Sequence, residues 1–299
     1  MIRTAETGAG VADVDLQGTT ILVTGSTSGI GRETALALGR LGARVFVHGR
    51  DREQGVQVVD RLHEFGADGS ALFLADFARL SAVRDLASDV TDACDSLDVL
   101  VNNAGGYFSS PRLTDDGFEY TIGVNHLAPF LLTNLLLPSL REAPQGRVVT
   151  VSSEAHRGST VEFERFQTVD RYNGWRAYGR SKLANILFSK ELARREDAVT
   201  ANSLHPGVVP GSGFMRTLPA PVRVGVSALA AIPNPVTDSV VSGAETSVYL
   251  AASPDVAGVT GQYFDNCRQR TPSRAARDET TQRRLWDVSA DFVGLDDGL

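Results

Sequence analysis

Lysine is nearly missing from this chain. Only Lys182 and Lys190 occur, and the other 27 of the 29 basic residues are arginine. A coding bias toward arginine explains that split wherever charge alone matters; a surviving lysine marks a place where a compact, flexible ammonium does what a planar guanidinium does not. Cysteine is as scarce. Cys94 and Cys267 stand alone, without a spacing pattern or adjacent histidines, so neither a disulfide framework nor a zinc site is expected, and a reducing, cytoplasmic setting fits. Long apolar runs are lacking too: residues 127–137 are interrupted by Pro129, Thr133 and Asn134 and fall far short of the ~20 residues that span a bilayer. No transmembrane segment is expected. The first fifteen residues carry Glu6, Asp13 and Asp15 and no apolar run behind a basic start, which reads as a flexible leader rather than a signal peptide. Positive charge is in deficit, with a net charge of −7 and dispersed arginines, which argues against a nucleic-acid partner.

What is present is ordinary globular material: 299 residues, 42% hydrophobic and 22% charged, enough to bury a full core. Short apolar runs at 19–24, 43–48, 70–75, 97–101, 146–151 and 199–204 predict strands. Between them, 29–41, 51–65, 80–94, 114–137 and 175–196 carry helical patterning. Near-continuous apolar strands alternating with helices imply an α/β fold, a doubly wound parallel sheet of the Rossmann type covered on both faces. No linker divides the chain before about residue 205, so residues 16–299 are read as one domain with a variable segment late in the sequence. In such a sheet ligands bind beyond the C-terminal strand ends at the topological switch point. The residues that follow each strand are therefore the informative ones.

After the first strand stands Thr24-Gly25-Ser26-Thr27-Ser28-Gly29-Ile30-Gly31. Gly25 permits a sharp turn, Gly29 a close approach to a pyrophosphate, and Gly31 close packing of the helix, whose N-terminus offers N–H donors and a positive dipole end. No Gly-Lys-Ser/Thr follows, so it is not a P-loop. The second strand ends Val47-His48-Gly49-Arg50, with Arg50 where an NAD-binding fold has an acid for the ribose hydroxyls, and this points to the 2′-phosphate of NADP(H). Asp51 beside it either caps a helix or neutralises the arginine. After the third strand, Asp76 either accepts from an adenine amino group or caps the next helix. The fourth ends Asn102-Asn103-Ala104-Gly105-Gly106, small polar residues suited to a ribose; the fifth ends Val151-Ser152-Ser153; the sixth is followed by His205-Pro206-Gly207-Val208, where backbone groups could meet a carboxamide. Tyr178 and Lys182 lie four apart on a predicted helix and so share a face. A free tyrosine titrates at about 10, and a neighbouring ammonium lowers that value.

The order of these motifs, with T-G-S-T-S-G-I-G at 24–31, N-N-A-G at 102–105 and Y-G-R-S-K at 178–182, resembles the short-chain dehydrogenase/reductase family. The resemblance runs from about Thr19 to Phe264. It implies a catalytic tetrad of Asn125, Ser153, Tyr178 and Lys182. In it Tyr178 exchanges a proton with the substrate oxygen and Ser153 hydrogen-bonds that oxygen. Lys182 lowers the tyrosine pKa and binds ribose, and Asn125 helps hold a water leading from Lys182. The cofactor contacts it implies lie at Gly25, Ser26, Ser28, Gly29, Ile30, Gly31, Arg50, Asp76, Asn102, Ala104, Gly105, Tyr178, Lys182, Gly207 and Val208; no metal is needed. The 25-residue step from Ser153 to Tyr178, the segment 122–127 and the tail 280–286 look like the retinol-dehydrogenase-like branch.

The expected activity is NADP(H)-dependent interconversion of an alcohol and a carbonyl, reducing a hydrophobic ketone or aldehyde. The alternatives are alcohol oxidation with NAD or NADP, reduction of an activated C=C bond, and an idle NADP-binding regulatory module. Gly211 stands where the family often has a threonine, with Ser212 next to it. The apolar stretch that follows, about 211–240, reads as a substrate lid, the alternative being a surface loop that packs on a subunit neighbour. The resemblance also implies a homodimer or homotetramer through the helices at 114–137 and 175–196. His126, His156 and His205 have no metal-spaced partners and are assigned packing or hydrogen-bonding roles, Asp115 and Asp116 are assigned to a helix start, and Trp175 either lines the substrate mouth or packs in the core.

Overall fold

A computed structural model describes residues 3–207, 209 and 239–295. Strands β1 (Thr20–Val23), β2 (Arg44–Gly49), β3 (Ala71–Leu74), β4 (Val99–Asn102), β5 (Gly146–Val151), β6 (Val199–His205), β7 (Tyr263–Asp265) and β8 (Arg268–Arg270) form one sheet in the order β3-β2-β1-β4-β5-β6-β7-β8. All neighbours are parallel except β7 and β8. The order reverses between β1 and β4, which opens a crevice beyond their C-terminal ends.

Period-two alternation divides each strand between two apolar layers. Ile21 and Val23 of β1 join Val45, Val47, Val99 and Val101 beneath α2 (Gly29–Arg40), α3 (Arg52–Glu64) and a late helix, Val240–Ala252. Leu22, Phe46 and Leu100 face the other way, onto α4 (Leu80–Ala93), the helix Ala128–Arg141, and the long helix Gly174–Arg195. In chain order these are α5 (Tyr120–Ile122), α6 (Ala128–Arg141), α7 (Gly174–Arg195), α8 (Val240–Ala252) and α9 (Glu279–Val293), after a short α1 at Ala5–Gly8. Leu22 and Leu100 are fully buried, so truncating either to alanine would cost about 2–5 kcal/mol. No described helix is long and apolar enough to cross a membrane.

Several expectations need correction. The first residues are not a loose leader: Ala5 and Val11 are buried in the first layer, and Glu6 forms a bidentate ion pair with Arg40 of α2 at 2.7 and 2.9 Å. The helix expected to begin at Thr114 begins at Tyr120, because Glu119 caps it by accepting from Thr121 N–H and Ile122 N–H. Its first turns widen to a π-turn over Gly123–Leu127 before α6 continues. Asp116 instead serves α4, accepting from the Leu80 N–H at 2.8 Å. The expected lid at 211–240 lies almost wholly outside the described residues, as do Gly211 and Ser212; its last residue opens α8.

Candidate active site

A cleft of about 980 Å³ runs along the C-terminal strand ends from the β1–α2 turn to α7. At its start, Gly25 has φ +66°, and a Cβ there would sit 2.9 Å from the Ala104 Cα. A Cβ on Gly31 would lie 2.4 Å from the Gly25 carbonyl oxygen, so helix and turn can close on one another only without side chains. Ser28, Gly29, Ile30 and Gly31 line the cleft with Gly25. Ser26 does not. Its hydroxyl donates to the Val23 carbonyl at 2.6 Å and accepts from the His48 N–H, a buried hook between β1 and β2.

Arg50 projects into the cleft at the end of β2 and pairs with Asp76 at 3.5 Å. Asp51 caps α3, accepting from the Gln54 N–H. Asp76 closes its own turn by accepting from the Ala78 N–H and leaves the α4 cap to Asp116. Asn102, expected at the cofactor, is buried and donates to Thr133 Oγ1 at 2.9 Å; strand alternation turns it toward α6. Asn103 lines the cleft in its place, with its amide donating to the Thr24 carbonyl at 2.7 Å, followed by Ala104 and Gly105. Gly207 lies at the far end, and Val208 is outside the described residues.

The chemical groups meet on α7 and the β5 end. The i, i+4 spacing puts Tyr178 and Lys182 on one face of α7, and both line the cleft with Ser153. Ser153 accepts from the Ala155 N–H at 3.2 Å, which fixes its rotamer, and its hydroxyl is hydrogen-bonded to Tyr178. Lys182 donates to the Val151 carbonyl at 2.9 Å, and its ammonium is 5.6 Å from the Tyr178 ring centre. Burial dominates both titrations. It pushes Tyr178 up to about 12, partly offset by the Ser153 hydrogen bond, and Lys182 down to about 8. In the protein by itself burial sets the Tyr178 value against the Ser153 hydrogen bond alone, and the Lys182 ammonium is held by the Val151 carbonyl, so the expected lowering by Lys182 is not seen there. Asn125, in the π-turn, spans the Gly106 backbone, accepting from its N–H and donating to its carbonyl, each at 2.9 Å, and donates to Ser181 at 3.0 Å. Its side chain is fully buried.

Other groups were not anticipated. Tyr107, Trp175 and Tyr178 form a triangle of rings with centroids 6.2 Å apart on each side, and Phe108 and Tyr120 extend this aromatic wall. Trp175 is 59% exposed, so it lines the mouth rather than the core. The segment between Ser153 and Tyr178 anchors the wall: the Tyr172 hydroxyl donates to the Phe108 carbonyl at 2.6 Å and accepts from Thr121. Arg180 reaches the buried carboxylate of Glu119 at 3.3 Å and Glu162 at 3.4 Å, tying that segment to α7. His156 holds the Ser153 carbonyl through Nδ1 at 2.7 Å and accepts from the Ser273 N–H, and His126 meets Ser289 at 2.9 Å, so both have the structural roles expected of them. Among the described residues no cluster of metal-binding side chains occurs.

A glycine turn at the sheet switch point and a tyrosine–lysine pair across the cleft define a nucleotide-dependent oxidoreductase scaffold, and residues 19–220 match the family model for short chain dehydrogenase. The chain belongs to that family. It is 40% identical to retinol dehydrogenase 14 of Homo sapiens, across 94% of this chain and 88% of that protein, and 40% identical to dehydrogenase/reductase SDR family member 13 of Bos taurus, across 95% and 75%. These likenesses put it in the retinol-dehydrogenase-like branch. Among solved structures, a protein from Mycobacterium paratuberculosis superposes with a TM-score of 0.74 at 31% identity, covering 99% of both chains. The Pseudomonas aeruginosa RhlG/NADP active-site complex does so with a TM-score of 0.67 at 27% identity, covering 84% of this chain and 95% of that one.

Proposed function

We propose that the protein is an NADP(H)-dependent oxidoreductase that interconverts an alcohol and a carbonyl, acting as a reductase on hydrophobic ketones or aldehydes. The observation that carries the cofactor choice is Arg50, a cation projecting into the cleft at the end of β2 where an NAD site would have an acid. Asp76 is already engaged by Arg50, so the pair offers a 2′-phosphate a guanidinium whose carboxylate partner it can displace. The glycine turn fits a pyrophosphate, since the contacts at Gly25 and Gly31 leave room for backbone and none for side chains. Solved structures of short chain dehydrogenases complexed with NADP and with NADPH, each 25% identical to this chain, support the same reading.

NADP(H), when bound, supplies or accepts the hydride. The protein's part is the proton and the pocket. In the reductive direction Tyr178, protonated at neutral pH because burial holds its pKa near 12, donates to the substrate oxygen. The Ser153 hydroxyl, already on Tyr178, steadies that oxygen, and Lys182 beneath the ring stabilises the phenolate that forms. Asn125 keeps Gly106 and α7 in register through Ser181. The aromatic wall of Tyr107, Phe108, Tyr120 and Trp175 supports an apolar substrate. The test is NADPH consumption against a panel of hydrophobic ketones, aldehydes and quinones beside short polar carbonyls. Turnover of apolar members with NADPH is expected, and turnover of none of them, or preference for NADH, would overturn the reading.

A further inference from the structure

His48, one residue from the end of β2, is a buried imidazole in the cleft wall for which neither proton transfer nor the arginine beside it accounts. Both ring nitrogens are engaged. Nδ1 accepts from the Gly25 N–H at 3.2 Å, and Nε2 lies 3.2 Å from the Ala75 carbonyl oxygen. An amide N–H only donates and a carbonyl only accepts, so the ring is neutral with its proton on Nε2. Burial pushes its pKa down to about 4, and the charges that face it, Arg50 and Asp76, act in opposite directions. The ring stacks on Phe77 with centroids 4.6 Å apart, and the His48 carbonyl accepts from the Ser26 N–H at 2.8 Å. One residue thus joins the ends of β1, β2 and β3. The atom it holds on β1 is the amide of the left-handed Gly25, the residue on which the turn pivots.

We propose that His48 is a positioning residue for the cofactor: its neutral imidazole clamps the Gly25 amide to the Ala75 carbonyl and holds the glycine turn in its binding shape before NADP(H) arrives. The proposal rests on the nicotinamide reading above. A turn that must be ordered during binding loses affinity that a preformed turn keeps. Protonation would place a donor on Nδ1 opposite the donor amide, so the clamp opens as the pH falls toward 4.

The experiment is the Kd for NADPH at pH 7, measured by calorimetry on the full chain, for the unaltered protein, His48→Leu and His48→Asn. Leucine keeps bulk and removes the acceptor. Asparagine places a carboxamide oxygen near the Nδ1 position and restores it. His48→Leu is expected to bind roughly tenfold more weakly, the worth of one net hydrogen bond, and His48→Asn to recover most of that loss. His48→Leu binding within twofold of the unaltered protein would overturn the proposal. So would His48→Asn binding as weakly as His48→Leu, since the residue would then act by packing alone. An unaltered protein that binds neither NADPH nor NADH would instead overturn the nicotinamide reading, and this proposal with it.

Discussion

Replacing Lys182 with methionine should make the protein more stable while disabling it, and the size of the effect follows from burial. Lys182 is 4% exposed, with its pKa lowered from 10.5 to about 8. Below pH 8 the folded state carries the ammonium at a cost the unfolded state does not bear. Between pH 8 and 10.5 the unfolded chain binds more protons than the folded one, so stability rises with pH and the cost is relieved. At 1.36 kcal/mol per unit, the shift amounts to roughly 3 kcal/mol of destabilisation at pH 7. Methionine removes that cost but forfeits the hydrogen bond to the Val151 carbonyl, worth about 1 kcal/mol. The variant should therefore be about 2 kcal/mol more stable at pH 7, with the difference shrinking as pH approaches 10.5. Urea denaturation of both proteins at pH 7 and pH 10 measures it. A variant less stable at pH 7, or a difference that does not shrink with pH, would refute the reasoning.

Three further outcomes follow from the same geometry. Arg50→Ala should raise the KM for NADPH about tenfold or more and leave that for NADH nearly unchanged, because a charge-assisted contact to the 2′-phosphate is lost; steady-state kinetics with both cofactors checks it. Trp175→Ala should raise KM several-fold for apolar carbonyls, with little effect on small polar ones, as expected from removing a largely exposed indole from the cleft mouth. Glu119→Leu should destabilise the fold by about 2–4 kcal/mol in urea titrations, since it takes the buried carboxylate from Arg180, leaving that guanidinium only the half-exposed Glu162, and uncaps α5 together.

The strand ends were readable because each apolar run stops where small or polar residues begin, and the Tyr178–Lys182 step because helical spacing puts the two on one face. The errors have equally local causes. Asn102 and Asn103 are indistinguishable by composition, and only the exact end of β4 decides that Asn103 meets the cleft while Asn102 packs toward α6. The β7–β8 hairpin carries no glycine signal, because its two left-handed turn residues are Asn266 and Cys267. The packing of residues 5–11 depends on Arg40, far along the chain, and no local pattern reports it. Lys190, to which the sequence offered no role, donates to the Gly261 carbonyl at 2.6 Å and secures the approach to β7. The scarcity of lysine thus marks two ammonium contacts to carbonyls on one helix, one buried and one half-buried, and only the buried one, Lys182, lies in the cleft. The depressed lysine and raised tyrosine could not be read from spacing, since burial sets them.

The central claim is that Tyr178 delivers the proton while NADP(H) carries the hydride. Its most direct test is the rate of NADPH-driven reduction of the best carbonyl on the panel by the unaltered protein and by Tyr178→Phe, which keeps the buried ring and removes only the hydroxyl. The account predicts a fall in kcat of about a hundredfold or more. A Tyr178→Phe protein that reduces the same carbonyl within threefold of the unaltered rate would contradict it.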